Sequence, residues 1–227
     1  MRATKAALLE RLRGRLVVSC QAYPGEPLRD PDTMRRMALA VLDGGASGIR
    51  AQGLADLRAI RAATDVPLIG LWKDGDEPVH ITPTVRHAVA VAETGADIVA
   101  LDATARPRPD GRPLADSIEA VHAAGALVMA DVSTEAEGVE AARLGADLVG
   151  TTLSGYTPYT VKTEGPDLEL VARLASVLDL PVVAEGRVHS PEQAAAALAA
   201  GAFAVVVGTA ITHPTTLTRW FAERFDR

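Results

Sequence analysis

Eight short apolar runs each end at or just before residues able to do chemistry: Gln21, Arg50, Lys73, Asp102, Asp131, Thr151-Thr152, Glu185 and Gly208. One polar residue after a strand means little, because loops begin with polar residues. Eight of them converging on one rim would make a site. Their types fit removal of a proton from a carbon next to a carbonyl, which needs a base within reach and donors aimed at the oxygen where negative charge grows. Lys73 serves as a base if burial or a nearby cation makes it neutral near pH 7, and Arg50 supplies that cation if the two run ends approach. Glu185 closes the run Val182-Val183-Ala184 and is followed by Gly186, a setting for a working carboxylate rather than a solvated one. Gly186-Arg187 and Gly208-Thr209 fall in the last two such loops, where backbone N–H groups can face a phosphate.

The elements that must position these residues are legible as an alternation. Runs at 16–21, 47–51, 67–73, 97–102, 127–131, 148–152, 181–185 and 204–208 are β-branched and apolar. Between them lie Ala- and Leu-rich amphipathic stretches such as 33–42, 55–64, 85–94 and 191–200, several stopped by glycine at 44–45, 95, 125, 145 and 201. Repeated βα units of this kind predict a parallel sheet with helices outside it. Eight units in 227 residues predict a single α/β domain over 1–227, a closed (β/α)8 TIM barrel with a short amphipathic N-terminal helix acting as a lid. A doubly wound open sheet would carry a glycine fingerprint after its first strand, where this chain has Ser19-Cys20-Gln21.

Composition narrows the function classes. Hydrophobic residues make up 48% and charged residues 23%, the balance of a globular chain, and the net charge of −6 comes without a basic stripe for nucleic acid. The expectation is therefore no nucleic acid and no membrane, in the cytoplasm: the first fourteen residues are interrupted by Lys5, Glu10, Arg11 and Arg13, and no apolar run approaches a membrane span. Cys20, alone and inside an apolar run, predicts a buried structural thiol. The histidines at 80, 87, 122, 189 and 213 lack metal-ligand spacing, with His87 and His122 expected on helix surfaces, so no metal is predicted. Ser154-Gly155 lacks the context of a nucleophile elbow.

The stretches Val17-Val18-Ser19-Cys20-Gln21, Gly48-Ile49-Arg50-Ala51, Asp131-Val132-Ser133-Thr134, Val149-Gly150-Thr151-Thr152-Leu153-Ser154-Gly155-Tyr156-Thr157 and Val183-Ala184-Glu185-Gly186-Arg187 together resemble the N-acetylmannosamine-6-phosphate 2-epimerase family over nearly the whole chain. The resemblance implies cofactor-free interconversion of N-acetylmannosamine 6-phosphate and N-acetylglucosamine 6-phosphate, a step of sialic acid and amino-sugar breakdown. By the same resemblance Lys73 is the base and Glu185 its acid partner. Gln21, Arg50 and Asp131 hold sugar hydroxyls and the acetamido group, and Gly186, Arg187, Gly208 and Thr209 line the phosphate. An amino-sugar phosphate is the expected partner, with no macromolecule beyond a homodimer. Two departures fall after the eighth strand, where the family's G-G-A-I-T-R-P reads Gly208-Thr209-Ala210-Ile211-Thr212-His213-Pro214, so that Thr209 stands where a glycine would and His213 where an arginine would meet phosphate. Two rival readings share these residues: a Schiff-base aldolase using Lys73, and a catalytically silent barrel that binds a sugar phosphate.

Overall fold

A strand buried on both faces must be apolar throughout, and a helix laid over it must turn one apolar stripe inward. In the computed structural model, which describes residues 4–225, the apolar runs become eight parallel strands: β1 (Leu16–Cys20), β2 (Gly48–Gln52), β3 (Leu68–Leu71), β4 (Ile98–Asp102), β5 (Leu127–Asp131), β6 (Leu148–Gly150), β7 (Val182–Glu185) and β8 (Ala204–Val207). Each pairs with its sequence neighbours. The register Leu16↔Val205 through Val18↔Val207 joins β1 to β8 and closes the barrel.

The outer helices are α2 (Pro31–Asp43), α3 (Leu54–Arg61), α4 (Val85–Ala92), α5 (Leu114–Ala123), α6 (Glu135–Arg143), α7 (Leu168–Val177) and α8 (Pro191–Ala199). Their starts are written locally: Asp30, Thr84, Thr134 and Ser190 each accept a backbone N–H of the first turn, with proline at the first position of α2 and α8. Five of them, α2, α4, α5, α6 and α8, end at a left-handed residue, supplied by Gly45, Gly95, Gly125, Gly145 and Gly201. Six of the strands are shorter than their apolar runs. β3 stops at Leu71, and Lys73 lies beyond it in an isolated antiparallel bridge to Ile81.

Side chains alternate across each strand. Val18, Ile49, Leu68, Val99, Val128 and Val149 face the helices, whereas Val17, Ile69, Ile98, Met129, Leu148 and Val183 fill the barrel. Leu8 and Leu12 join that interior cluster. Helix α1 (Lys5–Glu10) is therefore not a lid over the mouth but a plug at the opposite end. Lys5 pairs with Asp147, just before β6; the Gly14 N–H donates to Phe203 O at 2.7 Å; and Leu12 packs over Gly48 at the start of β2. Two further helices, α9 (Thr209–Thr212) and α10 (Pro214–Ala222), follow β8.

Candidate active site

The same alternation aims one residue per strand end into the mouth. In β2, Ile49 and Ala51 face outward, so Arg50 must point in. It is almost fully buried, at 1% side-chain exposure, and its guanidinium donates to both oxygens of Asp131, Nη2 to Oδ2 at 2.6 Å and Nη1 to Oδ1 at 3.2 Å. Nη1 also lies 3.1 Å from Glu185 Oε2. Thr152 Oγ1 donates to Asp131 Oδ1 at 2.7 Å and lies 3.2 Å from Glu185 Oε2. The four side chains form one network, with Gly150 making room for it. A Cβ at Gly150 would stand 2.3 Å from Met129 Cε and 3.2 Å from Asp131 Oδ1.

Lys73 enters from above. Its backbone bridge to Ile81, and the Trp72–Thr82 hydrogen bonds, pinch the segment between β3 and α4 into a narrow excursion. Burial and the nearby Arg50 guanidinium lower its ammonium to a pKa of about 8, against the pull of Glu185 and Asp131. Glu185 moves the other way: burial raises its carboxyl to about 7, Arg50 resists and Asp131 assists. A base and an acid with converging proton affinities thus share one chamber. His87, expected on a helix surface, is instead buried: Nε2 meets Asp74 at 2.8 Å, Nδ1 meets Thr84 at 2.6 Å, and its ring packs edge-on against Trp72. It braces the segment that carries Lys73.

A cavity of about 320 Å³ opens over this network, with Ser19, Gln21, Lys73, Thr152 and Glu185 among its lining residues. Gln21 donates Nε2 to Ser19 Oγ at 2.8 Å, while its buried Oε1 has no hydrogen-bond partner among the described residues. Arg50 and Asp131 lie beneath the cavity, holding each other. Gly186, Arg187, Gly208, Thr209 and His213 all reach its wall, but two of these side chains are committed elsewhere. The Arg187 guanidinium donates to Ser154 O, Gly165 O and Thr163 Oγ1, clasping the loop between β6 and α7. His213 has both ring nitrogens occupied, Nδ1 by Thr216 Oγ1 at 2.7 Å and Nε2 by Glu26 at 2.9 Å. Sequence reasoning missed Tyr23, Tyr156 and Arg106 on this wall. Two of them had a legible signal: Tyr156 stands in the Val149–Thr157 motif, and Arg106 stands four residues after strand-end Asp102, where its Nη2 pairs with Asp102 Oδ2 at 2.7 Å. Among the described residues no group of three or more His, Cys, Asp or Glu is placed to hold a metal ion.

A family described as "Putative N-acetylmannosamine-6-phosphate epimerase" matches residues 34–227. The chain belongs to this N-acetylmannosamine-6-phosphate epimerase family. A relative named as the 2-epimerase in Cutibacterium acnes is 54% identical over 219 residues, covering 95% of this chain and 96% of its own. Another, from Clostridium perfringens, is 45% identical over 218 residues, covering 95% and 99%. The solved structure of an N-acetylmannosamine-6-phosphate 2-epimerase from Clostridium perfringens superposes with a TM-score of 0.95 at 43% identity, covering 99% of both chains. A thiamine phosphate pyrophosphorylase from Pyrococcus furiosus, at 22% identity and a TM-score of 0.62, shares the barrel alone. The epimerase-family stretch Gly150–Tyr156 supplies three parts of the site described above: the space at Gly150, the hydroxyl of Thr152 and the Tyr156 wall.

Proposed function

We propose that this chain interconverts N-acetylmannosamine 6-phosphate and N-acetylglucosamine 6-phosphate by moving the proton on C2, with no cofactor. The observation that carries the reading is the pairing of Lys73 and Glu185 around one cavity with their proton affinities pushed toward each other. In the open-chain sugar the C2–H lies next to the C1 aldehyde. One group takes that proton, the C–H electron pair moves into an enolate whose charge settles on O1, and the other group returns a proton to the opposite face of C2. The working pair must hold one proton between its two members. Neutral lysine with the carboxylic acid, and ammonium with carboxylate, are the same ionisation state written two ways. One starts the reaction in one direction and the other starts the reverse.

Arg50 and Asp131 act from below in this reading, holding Glu185 in place, and the free Gln21 Oε1 takes a sugar hydroxyl or the acetamido N–H. The phosphate rests on the backbone at Gly186 and Gly208-Thr209, since the Arg187 and His213 side chains are engaged with protein atoms. No helix among the described residues is long and apolar enough to cross a membrane. A phosphorylated sugar does not cross membranes unaided, so the reading places the reaction in the cytoplasm. Either sugar phosphate incubated in D₂O should incorporate deuterium at C2 as its epimer forms, and epimerisation without exchange would overturn the mechanism. Borohydride with substrate should leave Lys73 unmodified, whereas a trapped secondary amine would favour the aldolase.

A further inference from the structure

The ammonium of Lys73 has no hydrogen-bond acceptor and no ion pair among the described residues. The charges that face it are Arg50, Glu185 and Asp131, and Nζ stands over the ring of Tyr23, 5.2 Å from the ring centroid. A four-carbon chain ending in an unbonded ammonium has many rotamers of similar energy, and confining it to one costs entropy that no hydrogen bond repays here. Tyr23 belongs to the segment between β1 and α2, and it is half exposed, so packing alone does not fix it. It is fixed by a short chain of contacts. Its backbone N–H donates to Glu26 Oε2 at 2.7 Å, Glu26 meets His213 Nε2 at 2.9 Å, and the His213 ring stands edge-on to the Tyr23 ring with centroids 5.2 Å apart. His213 is in turn tied to Thr216 in α10.

Resting on the reading of Lys73 as the base, we propose that Tyr23 is a positioning residue whose ring holds the Lys73 ammonium over the cavity floor, and that the Glu26–His213 contact, joining the β1–α2 segment to the segment after β8, holds Tyr23. The histidine that replaces the family arginine then has a structural task within the mouth. A cation over an aromatic face accounts for a tenfold effect in an enclosed site. Tyr23→Leu should therefore lower kcat roughly tenfold with little change in KM, Tyr23→Phe should recover most of it, and Glu26→Gln should fall between.

The chain has three lysines, Lys5, Lys73 and Lys162, in separate surroundings, so ¹³C-lysine labelling yields three ε-carbon signals assignable with Lys5→Arg and Lys162→Arg. The Lys73 ε-protons should be displaced upfield by the Tyr23 ring current in the wild type and in Tyr23→Phe, and should return toward the ordinary lysine position in Tyr23→Leu. A Lys73 signal unmoved by Tyr23→Leu overturns the proposal, as does an equal loss of turnover in the Leu and Phe variants. Glu26→Gln leaving both the signal and kcat unchanged overturns the latch. Because the signal is read without substrate, a wild type showing the displacement but no C2 exchange would sink the epimerase reading and leave the positioning intact.

Discussion

Two buried groups that titrate away from their ordinary values have consequences for rate and for stability. If one proton must be shared by Lys73 and Glu185, kcat/KM follows a bell in pH whose maximum lies between about 7 and about 8. Below it both groups are protonated and no base remains; above it both are deprotonated and no acid remains. The two limbs belong to the pair rather than to either residue, and a profile flat from pH 5 to pH 10 would exclude the mechanism. Lys73→Ala and Glu185→Gln should each lower kcat by orders of magnitude in a chain that still folds, read as kcat by coupled assay and as fold by circular dichroism. Stability runs the other way. Glu185 is raised from 4.5 to about 7, so its burial is favourable below 4.5 and becomes a penalty as pH rises to 7. Glu185→Gln should therefore raise Tm at pH 8 and leave it unchanged at pH 4. Arg50 behaves differently, because removing it strands Asp131 at 0% exposure without its cation. Arg50→Met should cost about 3–5 kcal/mol in urea unfolding.

At the scale of elements, the two ends of the barrel separate stability from function. Leu12 is fully buried and fills the bottom of the barrel against Gly48, far from the mouth. Leu12→Ala should lower unfolding free energy by about 2–5 kcal/mol with KM unchanged; a changed KM would mean that the plug and the mouth are coupled. The loops at the mouth bury apolar side chains such as Ile81, Val132, Leu153 and Val188, and polar contacts tie them to one another. Glu137, at the third position of α6, closes a capping box with Thr134 and also receives the N–H groups of Ser133 and Ala105 and the Tyr159 hydroxyl, so one carboxylate ties three strand-end loops. The Arg187 clasp on Ser154 and Gly165 does the same for the loop after β6.

Over the whole molecule, a chain of net charge −6 presents Lys73 and Arg187 at its cavity, neither paired with a carboxylate among the described residues. A phosphate dianion is repelled by the protein at large and attracted at the mouth. The attraction acts over the Debye length, about 30 Å at 0.01 M salt and about 10 Å at 0.1 M. KM for the phosphorylated sugar should rise with ionic strength over that range, while binding of unphosphorylated N-acetylmannosamine should not respond; equal salt dependence of the two would rule out a cationic mouth that selects phosphate.

The number of strands, their parallel order and the identity of the strand-end residues were determined by the sequence itself, because a two-residue period, local helix caps and glycine stops are read within a few positions. Lys73, Glu185, Arg50 and Asp131 were visible for the same reason: each interrupts or closes an apolar run. Which partner each residue takes was not visible, because it depends on groups brought together by barrel closure. Arg50 and Asp131 lie 81 positions apart in the chain and meet only across the barrel interior. His213 and Glu26 lie 187 positions apart, and their contact occupies a ring nitrogen of the residue expected to meet phosphate. The N-terminal helix showed its apolar face in the sequence, but which end of the barrel it covers depended on where Leu8 and Leu12 found unfilled volume. Tyr23 had no signal at all, since an aromatic residue in a polar turn acquires a role only when the closed barrel brings Lys73 beneath its ring.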